Sequence, residues 1–298
     1  MENIKITFLG TGSAIPTKNR NHTAILLTYK SENILVDCGE GTQRQFKISG
    51  ISPSKITKIL LTHNHGDHIF GLPGLFQTLA MSDYHRTLEI YGPRGTKSLI
   101  SSIESLIKKI PIKISVKEVS SSVVSSNDFE IEAKEMNHTV LSLAYSFKIK
   151  DKRRLIKSKL SKFGLPNSPI LKQLQEGKKI KFKNKTILPN QVSQIEKGKK
   201  VTFILDTLPN QNAITLAKSS DLLICESSFS ELESEIAKTH KHLTSKDAAT
   251  IAKKAKVKSL ILTHISQRYD KNPKQIEDEA KKIFKSVSLA KDFLEIQI

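Results

Sequence analysis

The sequence predicts an α/β fold: two β/α halves facing one another as a four-layer αββα sandwich, with a protruding basic arm. Three observations predict it. Apolar runs of strand length alternate with helical patterns in both halves of the chain. The word Ile59-Leu-Leu-Thr-His63 returns almost unchanged as Leu260-Ile-Leu-Thr-His264, each a buried strand that ends by presenting a histidine. Between the halves, a lysine-rich stretch from 150 to 200 breaks the alternation. Residues 1–298 therefore read as a single domain that carries 150–200 as an insertion.

The elements follow in order. Ile4–Phe8, Thr23–Tyr29 and Asn33–Val36 are β-branched or apolar runs separated by turn residues, and read as strands. Ile56–Thr62 is apolar enough to be buried on both faces of a sheet. Helices are expected at Ile69–Met81 and Gly95–Ile107, with Pro73 tolerated in the first turns of the former. Strands follow at Leu88–Tyr91, Ile112–Val119, Phe129–Met136 and Ala144–Ile149. The insertion lacks long apolar runs and carries Gly164-Leu-Pro166-Asn-Ser-Pro169, which suggests two short helices or a hairpin on a stalk. Strands resume at Val201–Leu205, Leu222–Cys225 and Leu260–Thr263. Helices are expected at Ser245–Ala255, capped by Thr244, and at Pro273–Phe284, with Pro273 at the first helical position.

Composition narrows the function classes. With 38% hydrophobic and 26% charged residues, the chain can build a core and is not globally disordered. No run approaches the roughly 18–20 apolar residues of a membrane span, so no membrane partner is expected. The start MENIKITFLG does not resemble a secretory signal. Two cysteines, Cys38 and Cys225, exclude a disulfide scaffold and a four-cysteine zinc site, and suit the reducing cytoplasm. The net charge of +19 favours a polyanionic partner. Residues 150–200 hold 16 Lys/Arg against 3 Asp/Glu, a net of +13, while the rest of the chain holds 32 against 26.

The chemistry is concentrated in His63-Asn-His65-Gly-Asp67-His68, directly after a strand. In extended chain, positions i and i+2 share a face, so His63 and His65 can grip one ion together. Gly66 permits a tight turn, after which Asp67 and His68 can begin a second site. Imidazole and carboxylate donors suit Zn²⁺, with Mn²⁺ or Fe²⁺ as alternatives. His138, Asp206 and His264 each end or follow an apolar strand, where their side chains can converge on the same rim. Alone, Asp206 or His138 could be an ordinary cap or turn residue. Together with the first cluster they make seven ligands.

This pattern is similar to the metallo-β-lactamase fold, and within it the chain resembles the ribonuclease Z family in its short form. Pro16-Thr-Lys18-Asn-Arg20-Asn21 fits that family's PxKxRN loop, Leu35-Val-Asp37-Cys-Gly39-Glu-Gly41-Thr-Gln43 its glycine-rich acidic segment, and Leu262-Thr-His264-Ile-Ser-Gln-Arg268-Tyr269 its C-terminal motif. The resemblance implies a zinc-dependent endoribonuclease that removes the 3′ trailer of precursor tRNA after the discriminator nucleotide, leaving a tRNA 3′-hydroxyl and a trailer 5′-phosphate. It implies two Zn²⁺ per subunit, one held by His63, His65 and His138, the other by Asp67, His68 and His264, with Asp206 bridging. Metals about 3.5–4 Å apart would activate a hydroxide as nucleophile, and Asp67 would orient it. His242 would protonate the leaving 3′ oxygen, held by Glu226. Lys18 and Arg20 would lie near the RNA 3′ end, and Arg268 would contact a phosphate. The basic segment would be the family's flexible arm, an exosite clamping tRNA with Pro166 and Pro169 in its GP-type motif, in a homodimer. No organic cofactor is implied.

Four positions depart from the family pattern: Leu205 and Ser168 stand where glycine is usual, Cys225 where histidine is, and Leu243 where serine is. Lone histidines carry a blander reading. His242 alone would pass for a helix-flanking residue, His22 and His85 read as structural or surface, and His240 has no assigned role. Two other classes compete with the nuclease. One is a hydrolase of the same superfamily acting on small phosphodiesters, thioesters or arylsulfates. The other is a non-catalytic RNA-binding protein with structural zinc, which would need a coordinatively closed site.

Overall fold

The computed structural model describes residues 3–298. The chain opens with strands β1 (Lys5–Gly10), β2 (Ala24–Tyr29) and β3 (Glu32–Val36), then helix α1 (Thr42–Ser49), strand β4 (Lys58–Leu60), helices α2 (Gly66–Ile69) and α3 (Leu72–Met81), strand β5 (Leu88–Gly92), helix α4 (Thr96–Leu106) and strands β6 (Ile114–Glu118), β7 (Ser122–Ser125), β8 (Phe129–Met136) and β9 (Ser142–Ile149). After the basic segment come β14 (Lys200–Ile204), α8 (Gln211–Ala217), β15 (Leu222–Glu226), α9 (Ser234–His240), α10 (Ser245–Ala255), β16 (Ser259–Thr263), α11 (Lys274–Lys281), β17 (Val287–Leu289) and β18 (Glu295–Gln297). The intervening elements, β10–β13 and α5–α7, are given below.

Two seven-stranded sheets result, ordered β18-β1-β2-β3-β4-β5-β6 and β17-β16-β15-β14-β9-β8-β7. Period-2 alternation explains how each is covered on both faces. Along β2, Ala24 and Leu26 join an outer cluster with Phe46 of α1 and Leu72, Leu75, Phe76 and Leu79 of α3. Along β15 and β16, Leu223, Cys225, Leu260 and Leu262 pack under Ala248, Ile251 and Ala252 of α10. The opposite faces of the two sheets meet. The Tyr29 ring of β2 stands edge-on to Phe147 of β9 with centroids 5.5 Å apart. The Tyr145 hydroxyl of β9 donates to the Leu61 carbonyl just past β4 at 2.7 Å. This is the expected sandwich of two sheets flanked by helices.

Several expected elements differ. The single helix expected over Ile69–Met81 is broken at Phe70–Gly71 into α2 and α3. Pro73 supplies no N–H there, and a Cβ on Gly71 would meet the Gly39 carbonyl oxygen at 2.1 Å, so the backbones pack too closely for a side chain. Pro273 caps α11 instead of opening it. Strand β7, helices α1, α8 and α9 and the edge strands β17 and β18 were not foreseen.

The chain divides into two compact units, the second comprising 126–130 and 148–199. This second unit contains β10 (Lys152–Leu155), α5 (Lys157–Lys162), α6 (Ile170–Gln175), β11 (Ile180–Phe182), β12 (Lys185–Ile187), α7 (Pro189–Val192) and β13 (Ser193–Glu196). It has both short helices and a hairpin, where the sequence left either open. The hairpin turns on Lys183 and Asn184, both at positive φ (45° and 60°), as a two-residue turn matching the strand twist requires. The unit also has a core of its own, Leu165, Leu171, Leu174, Ile180, Ile187 and Val192.

Candidate active site

The site is assembled from strand ends of both sheets. β4 runs into His63; the following turn gives His65, and α2 carries Asp67 and His68 in its single turn. His138 follows β8, Asp206 follows β14, Glu226 ends β15 and His264 follows β16. His242 lies between α9 and α10.

Asp206 is the centre of the arrangement. Its Oδ2 lies 3.6 Å from His63 Nε2 and 3.7 Å from His138 Nε2, and its Oδ1 lies 3.4 Å from His68 Nε2 and 3.3 Å from His264 Nε2. Each oxygen thus faces a different histidine pair. His65 Nδ1 completes the first group at 3.2 Å from His138 Nε2. Asp67 Oδ2 completes the second, 3.3 Å from both His68 Nε2 and His264 Nε2. In each group the donor atoms lie within 4.8 Å of one another, as a shared ion requires. A tetrahedron of donors about 2.0–2.1 Å from zinc has edges of roughly 3.3–3.4 Å, close to these spacings.

The donor chemistry fits a cation as well as the spacing does. His63 Nε2 and Asp206 Oδ1 are buried acceptors without a hydrogen-bond partner among the described residues. Such orphans are costly unless something fills the gap. Burial holds His63 well below the ordinary imidazole range, with His68 adding to the effect against the pull of Asp206. Burial likewise lowers His65 and His138 against the pull of Asp206. These shifts favour the neutral form of the three rings, which has a lone pair to offer. In the second group burial disfavours the His68 imidazolium, but Asp206 and then Asp37 outweigh it and raise His68 well above the usual value. Burial would raise Asp67 and Asp206, yet the surrounding histidines hold both carboxyls well below the carboxylate range.

Outer partners fix the rings. His68 Nδ1 donates to Asp37 Oδ2 at 2.7 Å, and Asp37 also accepts from the Thr62 backbone N–H and hydroxyl, each at 2.7 Å. His138 Nδ1 donates to the Lys241 carbonyl at 3.0 Å. His264 Nδ1 lies 2.8 Å from Ser228 Oγ, whose hydroxyl donates to Glu226 Oε2 at 2.7 Å. His63 Nδ1 lies 3.0 Å from the Thr62 hydroxyl. Four rings are thus tethered at Nδ1 and turn Nε2 inward, the arrangement that orients metal-ligating histidines. Asp37 and His264 both sit at φ 57°, left-handed backbone that costs a non-glycine residue about 1–3 kcal/mol. That cost is concentrated where the donors are aimed.

Beside the cluster stands the His242–Glu226 pair. Glu226 is fully buried and accepts from the Thr207 N–H at 2.8 Å and from His242 Nδ1 at 3.0 Å. Burial disfavours the His242 charge, but Glu226 and Asp206 outweigh it and raise the imidazolium to about 9. His242 lines a cleft of about 370 Å³ with His65, His138, Ala14, Ile15, Phe229, His240 and Arg268.

The remaining expected residues fall elsewhere. Lys18 is exposed on the loop after Ile15. Arg20, expected near the RNA 3′ end, is placed inside its own loop. It is 6% exposed, and its Nη1 donates to Thr11 Oγ1 at 2.7 Å and to the Ala290 carbonyl at 2.8 Å. Asp292 nearby accepts from Thr11, from the Asn21 N–H and from Gln45, so Arg20 is committed to anchoring its own loop. Arg268 lines the cleft with its Nη1 2.9 Å from Glu233 Oε1. Pro166 and Pro169 belong to the second unit. Leu205, Cys225 and Leu243, three of the departures from the family pattern, are fully buried apolar positions. Burial raises the Cys225 thiol well above its usual value, which leaves it inert. His22 is buried with Nε2 3.2 Å from the Ala14 carbonyl, and His85 is exposed. Asp37 was legible by the rule that found Asp206, a carboxylate at the end of an apolar strand. Ser228 and the Lys241 carbonyl carry no comparable signal.

Ribonuclease Z of Methanothermobacter thermautotrophicus is 39% identical over 298 residues, covering 99% of this chain and 97% of its own. The chain belongs to the ribonuclease Z family. A family model described as Anti-Pycsar protein Apyc1 matches residues 4–158, so just over half of the chain belongs with that family too. The crystal structure of human tRNase Z, short form, superposes with a TM-score of 0.71 at 28% identity, covering 98% of both chains. The metallo-β-lactamase fold protein YhfI of Bacillus subtilis superposes at 0.72 with 20% identity and full coverage of both chains, which shows the fold. As a ribonuclease Z family member the chain is a phosphodiester-hydrolysing enzyme, and its His/Asp cluster could hold metal ions. No helix among the described residues is long and apolar enough to cross a membrane.

Proposed function

We propose that this chain removes the 3′ trailer of precursor tRNA, cutting after the discriminator nucleotide to leave a tRNA 3′-hydroxyl and a trailer 5′-phosphate. The observation that carries this reading is Asp206, with one oxygen toward His63 and His138 and the other toward His68 and His264, in a chain of the ribonuclease Z family. His63, His65 and His138 would hold one cation and Asp67, His68 and His264 another, with Asp206 shared. Zinc suits these donors, with manganese or iron as alternatives. When bound, such a pair stabilises charge on phosphoryl oxygens and lowers the pKa of bound solvent.

The chain's own groups do the rest. Asp67, on the accessible side of the cluster, orients the incoming water. As its oxygen bonds to phosphorus, the water gives up a proton to the Asp67 carboxylate and the bond from phosphorus to the 3′ oxygen breaks. His242 gives that oxygen a proton from Nε2, because Nδ1 is engaged by Glu226. Glu226 fixes the tautomer and sustains the charge on the ring. Lys18 and Arg268 meet the RNA near its 3′ end. The lysine-rich second unit, including Pro166 and Pro169, serves as a tRNA-binding exosite, neutralising phosphates without reading sequence. The enzyme works as a homodimer in the cytoplasm.

Mapping the cut in an end-labelled precursor tRNA tests this. A single cut after the discriminator nucleotide is expected, abolished by EDTA and restored by zinc. Cleavage that survives EDTA, or turnover of small esters alone, would overturn it.

A further inference from the structure

The cleft beside the metal-ligand cluster has a wall that hydrolysis of a phosphodiester does not by itself need. Phe229 and His240 face each other nearly parallel, with ring planes 12° apart and centroids 6.5 Å apart. Phe229 is mostly buried and His240 is exposed. The Arg268 guanidinium lies 5.8 Å from the Phe229 centroid and is held by Glu233. Ile15, 54% exposed on the loop that Arg20 anchors, is also part of the lining. Two flat rings, a guanidinium and an aliphatic side chain around about 370 Å³ suit a planar, largely apolar group.

The place of His242 says which group. Its ring centroid is 6.0 Å from that of Phe229. If His242 protonates the leaving 3′ oxygen, the ribose bearing that oxygen sits against His242, and its base is one glycosidic bond away. We infer that Phe229 and His240 form a stacking platform for the unpaired base of the last tRNA nucleotide, the one whose 3′ oxygen leaves, with Arg268 and Ile15 bounding the site. This rests on the nuclease reading proposed above. Ring stacking accepts every base, which suits a nucleotide that differs among the tRNAs one enzyme must process.

A double-mutant cycle tests the inference, combining His240→Ala with an abasic residue at the last tRNA position in the full precursor. His240→Ala is expected to lower kcat/KM on the intact precursor by at least about 5-fold, the low end of base–aromatic stacking. The abasic substrate should lose a similar factor with the unaltered protein. Together the two changes should cost little more than either alone. His240→Phe, which keeps a flat ring, should restore cleavage of the intact precursor. Losses that multiply would overturn the platform, as would coupling to the first trailer nucleotide instead. Failure of the unaltered protein to cut the intact precursor would instead bring down the nuclease reading, and the platform with it.

Discussion

If His242 is the acid, the identity of the leaving group decides how much it matters. A ribose 3′ oxygen is a poor leaving group and needs its proton. The p-nitrophenolate of bis-p-nitrophenyl phosphate is a good one and does not. General acid catalysis contributes about 10²–10⁴-fold, so His242→Ala should lower kcat on precursor tRNA by a factor in that range. On the p-nitrophenyl ester the loss should be many times smaller. Glu226→Gln keeps the shape of the partner, and its one remaining oxygen can still accept from the Thr207 N–H, while an amide NH2 replaces the oxygen that accepted from Ser228 and from His242 Nδ1. It removes the charge that pairs with His242 Nδ1 at 3.0 Å. A hydrogen bond to a charged group is worth about 1.5–3 kcal/mol, so Glu226→Gln should cost roughly 10- to 150-fold on the RNA. Both variants would be assayed on both substrates by single-turnover kinetics at matched metal content. Equal losses on ester and RNA would refute the assignment, because they would place His242 in holding the metals and not in protonating the product.

Asp206→Asn should abolish cleavage and lower the bound metal below that of the unaltered protein, with the far-ultraviolet circular dichroism unchanged; full activity and full metal content would remove Asp206 from the shared position. Arg20→Met should destabilise the protein by about 1–3 kcal/mol for each buried group left unpaired, read as a lower urea midpoint, while the salt dependence of tRNA binding keeps its slope. A slope reduced by about one would mean that Arg20 reaches a phosphate after all. Leu174→Ala, in the small core of the lysine-rich unit, should loosen that unit by about 2–5 kcal/mol, seen as faster amide exchange within 148–199, and should raise KM for tRNA more than it lowers kcat.

What could be read in advance followed from local pattern. Strands such as Leu222–Glu226 and Ser259–Thr263 are apolar, β-branched or both, and a donor residue at the end of each is a local event. Less visible were elements whose reason lies far away in sequence. β18 is three residues long and exists because it pairs with β1, nearly the whole chain away. Helix α1 has a mostly polar sequence and buries only Thr42, Gln45 and Phe46. Arg20 carries a motif that reads as a surface cation, but its burial depends on Thr11, Ala290 and Asp292. The core of the second unit was hidden for another reason. Its six apolar side chains are spread over 28 positions of a segment whose net charge is strongly positive, with no strand- or helix-length apolar run to mark them.

His68 and His264 face the same carboxylate oxygen although 196 positions separate them in the chain. Ordering so distant a pair is slow, because the intervening loop must close before the contact repays it. A nascent chain emerging from the ribosome therefore has no complete donor set until the strand before His264 is made and has docked. The complete donor set forms only after most of the chain has been made.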